Sequence, residues 1–146
     1  MPDESPSPIE DALRELKVSR TWSAYAPLDS GQMLRLQARF GRAFHPALKR
    51  FYAIAGGGEF SLGGGLVVFF DAEAVLDAHK RLKETLPGWI AFADDARGTW
   101  FMLRAMDPEG AVFSVDSRSP SLEGAWQVAT DFPGFLCALT RGTLEL

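Results

Sequence analysis

Three short apolar runs divided by two polar turns, from Trp89 to Asp116, limit what this chain can fold into more than any other feature. Trp89–Ala93, Thr99–Leu103 and Ala111–Val115 are rich in aromatic and β-branched residues, which suit a pleated, half-buried surface. Asp94, Asp95, Arg97 and Gly98 supply the first turn. Asp107-Pro108-Glu109-Gly110 supplies the second, with proline pre-setting φ at its second position and glycine tolerating positive φ at its end. The pattern predicts a three-stranded antiparallel meander that the rest of the chain must cover.

The covering elements are legible in order. Met1 to Pro6 is expected to fray. Ser7-Pro8-Ile9-Glu10 then has capping-box spacing, and Ile9, Ala12, Leu13 and Leu16 form one apolar stripe of a first helix. This helix and the aperiodic linker Ser19–Leu28 read as a segment, 1–28, appended to a domain over 29–146; Trp22 and Tyr25 in the linker need burial. Asp29 with Gln32 caps a second helix, with Met33, Leu36 and Phe40 facing in, Arg35, Arg39 and Arg42 facing out, and Gly41 ending it. His45-Pro46 opens a third, carrying Leu48, Phe51, Tyr52 and Ala55, and Gly56-Gly57-Gly58 is expected to supply a left-handed C-cap. Glu59–Leu62 and Leu66–Phe70 read as strands joined by Gly63-Gly64-Gly65, the second apolar enough to be central and covered on both faces. Asp71 caps a fourth helix with the stripe Ala72, Val75, Leu76, His79, Leu82 and Leu86, stopped by Pro87-Gly88. After the meander come the loop Pro120–Gly124, a strand Ala125–Ala129 with Trp126, and a last helix. Thr130 or Asp131 caps that helix, Phe132, Phe135, Leu136 and Leu139 line it, and Gly142 closes it. The fold class is α+β: a single domain with a mixed, mostly antiparallel sheet of about six strands packed by four to five helices.

At 146 residues, with 47% hydrophobic and 23% charged side chains, the chain can build one independent core. The lone Cys137 forms no internal disulfide and reads as a small buried hydrophobe. The acidic start is unlike a secretory signal, and the most apolar window, Phe51–Phe70, is broken by six glycines and Glu59, so a cytoplasmic protein without a membrane span is expected. The net charge of −4 is unevenly spread. From Arg14 to Arg50 eight Lys/Arg stand against Glu15 and Asp29; from Phe51 onward thirteen Asp/Glu stand against seven Lys/Arg. An acidic larger part disfavours direct nucleic-acid binding and suits a basic protein partner.

Chemistry is sparse. His45, His79 and Cys137 lack the short spacing of a zinc or iron site, and Asp94-Asp95 lacks the alternating ligands of a calcium loop, so a turn is the expectation there. No serine has a nucleophile-elbow context, and Cys137 sits mid-helix. His79 falls on a buried stripe, and His45 on a helix entry. Neither triple-glycine run is followed by Lys-Ser/Thr or opens a helix after a strand, so neither reads as a phosphate loop. Glu59, Asp94, Asp95 and Asp116 could converge as carboxylate pairs, although thirteen acids make chance convergence easy. No metal, cofactor or catalytic group is expected.

From about Asp29 to Leu139 the chain resembles the SUKH superfamily, which groups fungal cell-wall-synthesis regulators with bacterial immunity proteins of polymorphic toxin systems. The matching pieces are Phe44-His45-Pro46 and its helix, the stop Ala55-Gly56-Gly57, the strand–helix unit Leu66–Leu82, and the stretch Ile90 to Phe101. The strand Ala111–Asp116 and the closing helix from Thr130-Asp131-Phe132 complete it. Ala93, Thr99 and Ala55 stand where the family pattern has glycine, aspartate and asparagine, departures that weaken the carry-over of any ligand site. The resemblance implies a mixed sheet with helices around it, no catalysis, and binding of a partner protein, in bacteria often a basic toxin such as a nuclease.

The leading expectation is therefore a non-enzymatic immunity protein that neutralises a cognate toxin by binding it. Glu59, Asp94, Asp95, Trp100 and Asp116 are the candidate partner-binding residues, since turns and strand ends near the meander lie at its rim; the bland alternative is that the acids cap turns and Trp100 is core. A regulatory or scaffold protein of the same fold is the second reading. The third, a small-molecule binder or enzyme, requires a deep pocket lined by two or more of Glu59, Asp94, Asp95 and Asp116.

Overall fold

In the computed structural model residues 8–40, 44–62 and 64–144 are described. The expected fraying of Met1–Pro6, the Ser7 cap, Gly41, Arg42 and Gly63 lie outside them. In chain order the elements are α1 (Pro8–Val18), β1 (Trp22–Ala24), α2 (Ser30–Phe40), α3 (Pro46–Ile54), β2 (Gly58–Leu62), β3 (Gly65–Phe69), α4 (Ala72–Thr85), β4 (Trp89–Asp94), β5 (Thr99–Arg104), β6 (Val112–Asp116), β7 (Trp126–Ala129) and α5 (Phe132–Arg141).

The three apolar runs between Trp89 and Asp116 are β4, β5 and β6, and they belong to a longer meander. One sheet runs β1-β2-β3-β4-β5-β6-β7, each strand hydrogen-bonded antiparallel to the next. Among the described residues it has seven strands where about six were expected, and no neighbouring pair is parallel. The extra strand, β1, lies in the linker Ser19–Leu28; three residues are too few to show a period.

Register decides which side chains share a face, because paired residues point the same way and successive residues alternate. Gly58, Phe69, Ala93, Phe101 and Ser114 form one cross-strand row. Phe69 packs on Phe51 of α3 with ring centroids 4.9 Å apart, and Phe101 on Phe135 of α5 at 5.1 Å, so this face is covered by α3 and α5. Helix α1 lies outside them as part of the same core, with Ala12, Leu13 and Leu16 buried. The next row, Glu59, Val68, Asp94, Trp100 and Val115, faces the other way. There Trp100 lies under Arg81 of α4, and Arg35 of α2 pairs with Glu73 of α4. Helices thus sandwich the sheet. Strand β3 is central, but only Val67 and Phe69 are buried; Leu66 and Val68 are half-covered, which corrects the expectation of cover on both faces.

Helix ends follow their capping residues. Asp29 Oδ1 accepts from the Gln32 amide at 2.7 Å while Gln32 Oε1 accepts from the Asp29 amide at 3.0 Å, a reciprocal capping box. Asp71 caps α4 through the Ala74 amide, and of the two candidates for α5 it is Asp131 that accepts, from the Gly134 amide. Gly142 ends α5 in the left-handed region at φ 68°. The end of α3 differs from expectation: its C-cap, Ala55, is extended at φ −148°, and no left-handed glycine follows directly. The glycines serve close approach instead. Gly57 has φ 119°, and a Cβ there would lie 2.7 Å from the Phe69 carbonyl oxygen and 2.9 Å from the Tyr25 ring.

Candidate partner-binding face

Glu59, Asp94 and Trp100 share the outward row of the sheet, with Val68 between the two acids. Two strand spacings separate Glu59 from Asp94, or about 10 Å. Tyr25, just past β1, stands beside them. Its amide donates to the Gly57 carbonyl at 3.0 Å, its carbonyl accepts from the Gly56 amide at 3.2 Å, and its hydroxyl donates to Glu59 Oε2 at 3.2 Å. Partial burial raises the Tyr25 pKa first, then the hydrogen bond to Glu59, and the charges of Asp71 and Asp94 add to it. One phenol therefore reports three carboxylates around it.

Asp94 ends β4 half-buried, and its Oδ1 accepts from the Ala96 amide at 2.9 Å. Burial raises its pKa, the Ala96 bond opposes that, and the charge of Asp95 adds to the rise. Ala96 sits at φ 62°, a conformation unusual for a residue with a Cβ. Asp95 stabilises the same turn: Oδ1 accepts from the amides of Arg97 at 2.8 Å and Thr99 at 3.0 Å. Arg97 crosses to the β2–β3 hairpin and donates to the Gly64 carbonyl at 3.1 Å, bringing one cation to this rim.

The other two candidates are placed differently. Asp116 pairs with Thr99, which faces away from Trp100, and its carboxylate engages Arg118, whose hydrogen bond and charge lower its pKa. Trp100 is only 8% exposed, with the Arg81 guanidinium 4.8 Å from its ring centroid and Phe70 edge-on at 6.4 Å. It is a core residue. The fold thus gathers Glu59 and Asp94 with Tyr25, holds Asp95 beside Asp94 in the turn that follows, directs Asp116 elsewhere and buries Trp100. An exposed aromatic is found instead on β7, where Trp126 is 71% exposed, with Leu122 also exposed in the loop before it. A tryptophan beside a polar loop in the last short strand was the available signal for that edge, since a terminal strand has a neighbour on one side only.

His45 is buried, and His79 and Cys137 are half-buried. His45 caps α3. His79 packs on Phe40 at 4.6 Å, and burial lowers its pKa, aided by the charges of Arg39 and Lys83. Cys137 is half-buried on α5, where burial, then Glu15, raises its thiol pKa. Among the described residues no three His, Cys, Asp or Glu side chains cluster as a metal site. Three surface cavities among the described residues are lined by other side chains than Glu59, Asp94, Asp95 and Asp116. No helix among the described residues is long and apolar enough to cross a membrane.

Compared with known proteins, residues 27–137 match the model of the SMI1 / KNR4 family (SUKH-1). The match takes in every strand from β2 to β7 and helices α2 to α4, with most of α5, and leaves α1 and β1 before it. No curated protein matches the sequence.

Proposed function

The chain belongs to the SMI1 / KNR4 family (SUKH-1), and on that premise we propose that it acts as a non-catalytic binding module, specifically an immunity protein that occludes a basic toxin domain. The observation that carries this reading is the grouping of Glu59 and Asp94 beside Tyr25 at one rim of the sheet, with Asp95 next to Asp94 and Asp94 kept partly desolvated. A carboxylate already stripped of part of its water loses less hydration when a cation docks on it. Negative charge at the rim also steers a basic partner toward the face. The absence of catalysis and the protein nature of the partner are both part of the proposal.

The test is co-expression with candidate toxin domains taken from the genes that flank this one. Rescue of growth and co-purification of a complex, both weakened by Glu59→Lys, are expected. Failure of rescue together with failure to form a complex would sink the immunity reading. A gene standing alone in a housekeeping operon would favour a regulatory role for the same fold.

A further inference from the structure

Strand β1 ends the sheet, with β2 as its one strand neighbour among the described residues. Its ladder reaches beyond Trp22–Ala24 at both ends. The Thr21 carbonyl accepts from the Ser61 amide at 3.0 Å, and Tyr25 bonds through its amide to Gly57 and through its carbonyl to Gly56. In an antiparallel ladder, residues whose backbone groups face the partner strand alternate with residues whose groups face away. Thr21, Ser23 and Tyr25 therefore direct theirs to β2, and Trp22 and Ala24 direct theirs outward. The Trp22 amide turns back to the Ser19 carbonyl at 3.4 Å. The Trp22 carbonyl and both backbone groups of Ala24 meet no strand across that edge among the described residues. Edges of this kind are ordinarily blunted by a charge, a proline or a bulge. At the far edge β7 is bulged opposite Val112 and Phe113. Residues 21–25 contain no charge and no proline, pair without a shift, and are exposed apart from half-buried Trp22.

Charge is graded along this edge. Ser23 shares the outward row with Glu59, Val68 and Asp94, and Tyr25, two residues on, has its hydroxyl on Glu59. The carboxylates of Glu59, Asp71 and Asp94 all act on that hydroxyl. Two cations are also near: Arg20 just before the edge, and Arg97 on the Gly64 carbonyl. Both stand toward the β2–β3 hairpin, since Thr21 lies opposite Ser61. The Tyr25 half of the edge is thus acidic and the Arg20 half is not.

We propose that β1 receives an extended segment of a partner protein as one more strand, with Lys or Arg at two alternate positions set against Ser23 and Tyr25 and no cation at the Arg20 end. The open amide and carbonyls select a strand, because a helix already pairs its own backbone groups. A period of two puts both cations on the acidic face. The cation opposite Ser23 passes over a small side chain toward Glu59, two strand spacings or about 10 Å away. The other sits against the Tyr25 ring. Residues 21–25 of a second copy carry no cation to set on that row. This mode of docking presupposes the acidic rim as the binding face and supplies the backbone contact that holds the partner there. The strand itself precedes residues 27–137, so the edge lies outside the matched family region.

The probe is a short fluorescein-labelled peptide of Thr and Val carrying one Lys-Thr-Lys triplet, titrated with the full chain and followed by anisotropy. Saturable binding that weakens with salt is expected, reduced about tenfold or more by Glu59→Gln and by Ala24→Pro. Proline at position 24 removes an outward amide and no bond to β2, and circular dichroism checks that the variant is folded. Methylating alternate backbone nitrogens of the peptide, in one of the two phases, should weaken binding to the same degree with the protein unaltered. An isomer with adjacent lysines, which face opposite ways, should bind less tightly. Amide exchange at Ala24 should slow in the complex. Binding that falls with Glu59→Gln but is indifferent to Ala24→Pro and to methylation would overturn the added strand and leave the acidic rim as the docking face. Equal binding of the isomer, or no binding at millimolar protein, would overturn it too, while rescue in co-expression decides the immunity reading separately. Self-association that competes with the peptide and disappears in Ala24→Pro would assign the edge to a second copy, and would overturn the proposal as well.

Discussion

Asp94 faces Trp100 directly across the β4–β5 ladder, so a carboxylate at the sheet's rim abuts a tryptophan that is 8% exposed. The contact explains why burial is the leading cause of the raised Asp94 pKa. An acid whose pKa is higher folded than unfolded favours its neutral form in the native state. Above both values the ionised group therefore destabilises the fold; below both it has no effect. Asp94→Asn keeps an oxygen for the Ala96 amide and removes the charge, so it should raise the melting temperature at pH 7. The gain should shrink as pH falls through the interval between the raised native pKa and the ordinary carboxylate value, and vanish below it. Paired thermal melts across that range check the sign. A loss of partner binding in the same variant would mark the strain as functional.

Tyr52 is fully buried, and its hydroxyl donates to the Phe70 carbonyl at 2.7 Å, tying α3 to the end of β3. Burial raises its pKa far above the ordinary phenol range, with the charge of Asp71 adding to it, so the group stays a donor at every pH the fold survives. Tyr52→Phe retains the ring and leaves that carbonyl without its donor. Chemical denaturation should register a loss of about 1–2 kcal/mol, with an unchanged m-value.

Much of this architecture is readable from local pattern. Asp29 with Gln32, Asp71, and Gly142 all perform the roles their spacing announces, because caps depend on residues three or four apart. Strand β1 is not readable: Trp22 is held by Phe69 and Phe51, 47 and 29 positions away, and nothing adjacent in sequence foretells that. Gly56-Gly57-Gly58 misleads for the same reason, since what excludes a Cβ is distant chain, the Ala26 carbonyl at Gly56, the Phe69 carbonyl at Gly57 and the Trp22 ring at Gly58, and not the helix before it. Among the candidate site residues, Glu59 and Asp94 owe their proximity to Val68 between them, a matter of register, while Asp116 is separated by the alternation of a single residue. Tyr25 reads in the sequence only as a ring in need of burial, yet it is 38% exposed, and an aperiodic linker has no period that would place its hydroxyl beside Glu59.

Gly57→Ala tests the close approach. The alanine would have to hold φ near 119° with its Cβ against the Phe69 oxygen, and neither neighbour of that contact is a flexible side-chain end. Backbone strain of this class costs about 1–3 kcal/mol before any clash is relieved. Equilibrium unfolding should show at least that loss, and hydrogen exchange should quicken first at Tyr25 and Gly56, whose backbone bonds clamp the segment. Unaltered exchange there would show that the clamp does not depend on glycine.

His45 offers a finer test, because its two ring nitrogens do separate jobs. Nδ1 accepts from the Ala47 amide at 3.1 Å, which leaves Nε2 to carry the proton and donate to the Asp107 carbonyl at 2.7 Å. The ring thus caps α3 and also holds the second meander turn, where Asp107 accepts from the Glu109 and Ala111 amides. Those backbone bonds, with Ala111 the largest contribution, keep the Asp107 pKa low. Asn at position 45 can serve as a cap but is too short to reach Asp107; Ala can do neither and leaves a void at a site 3% exposed. The expected losses are about 1 kcal/mol for His45→Asn and about 2–3 kcal/mol for His45→Ala, read by denaturant unfolding. Amide exchange at Gly110 and Ala111 should accelerate in both variants, whereas exchange at Ala47 should accelerate only in His45→Ala. Equal losses in the two variants would mean that the tie to Asp107, and not the cap, carries the stabilisation.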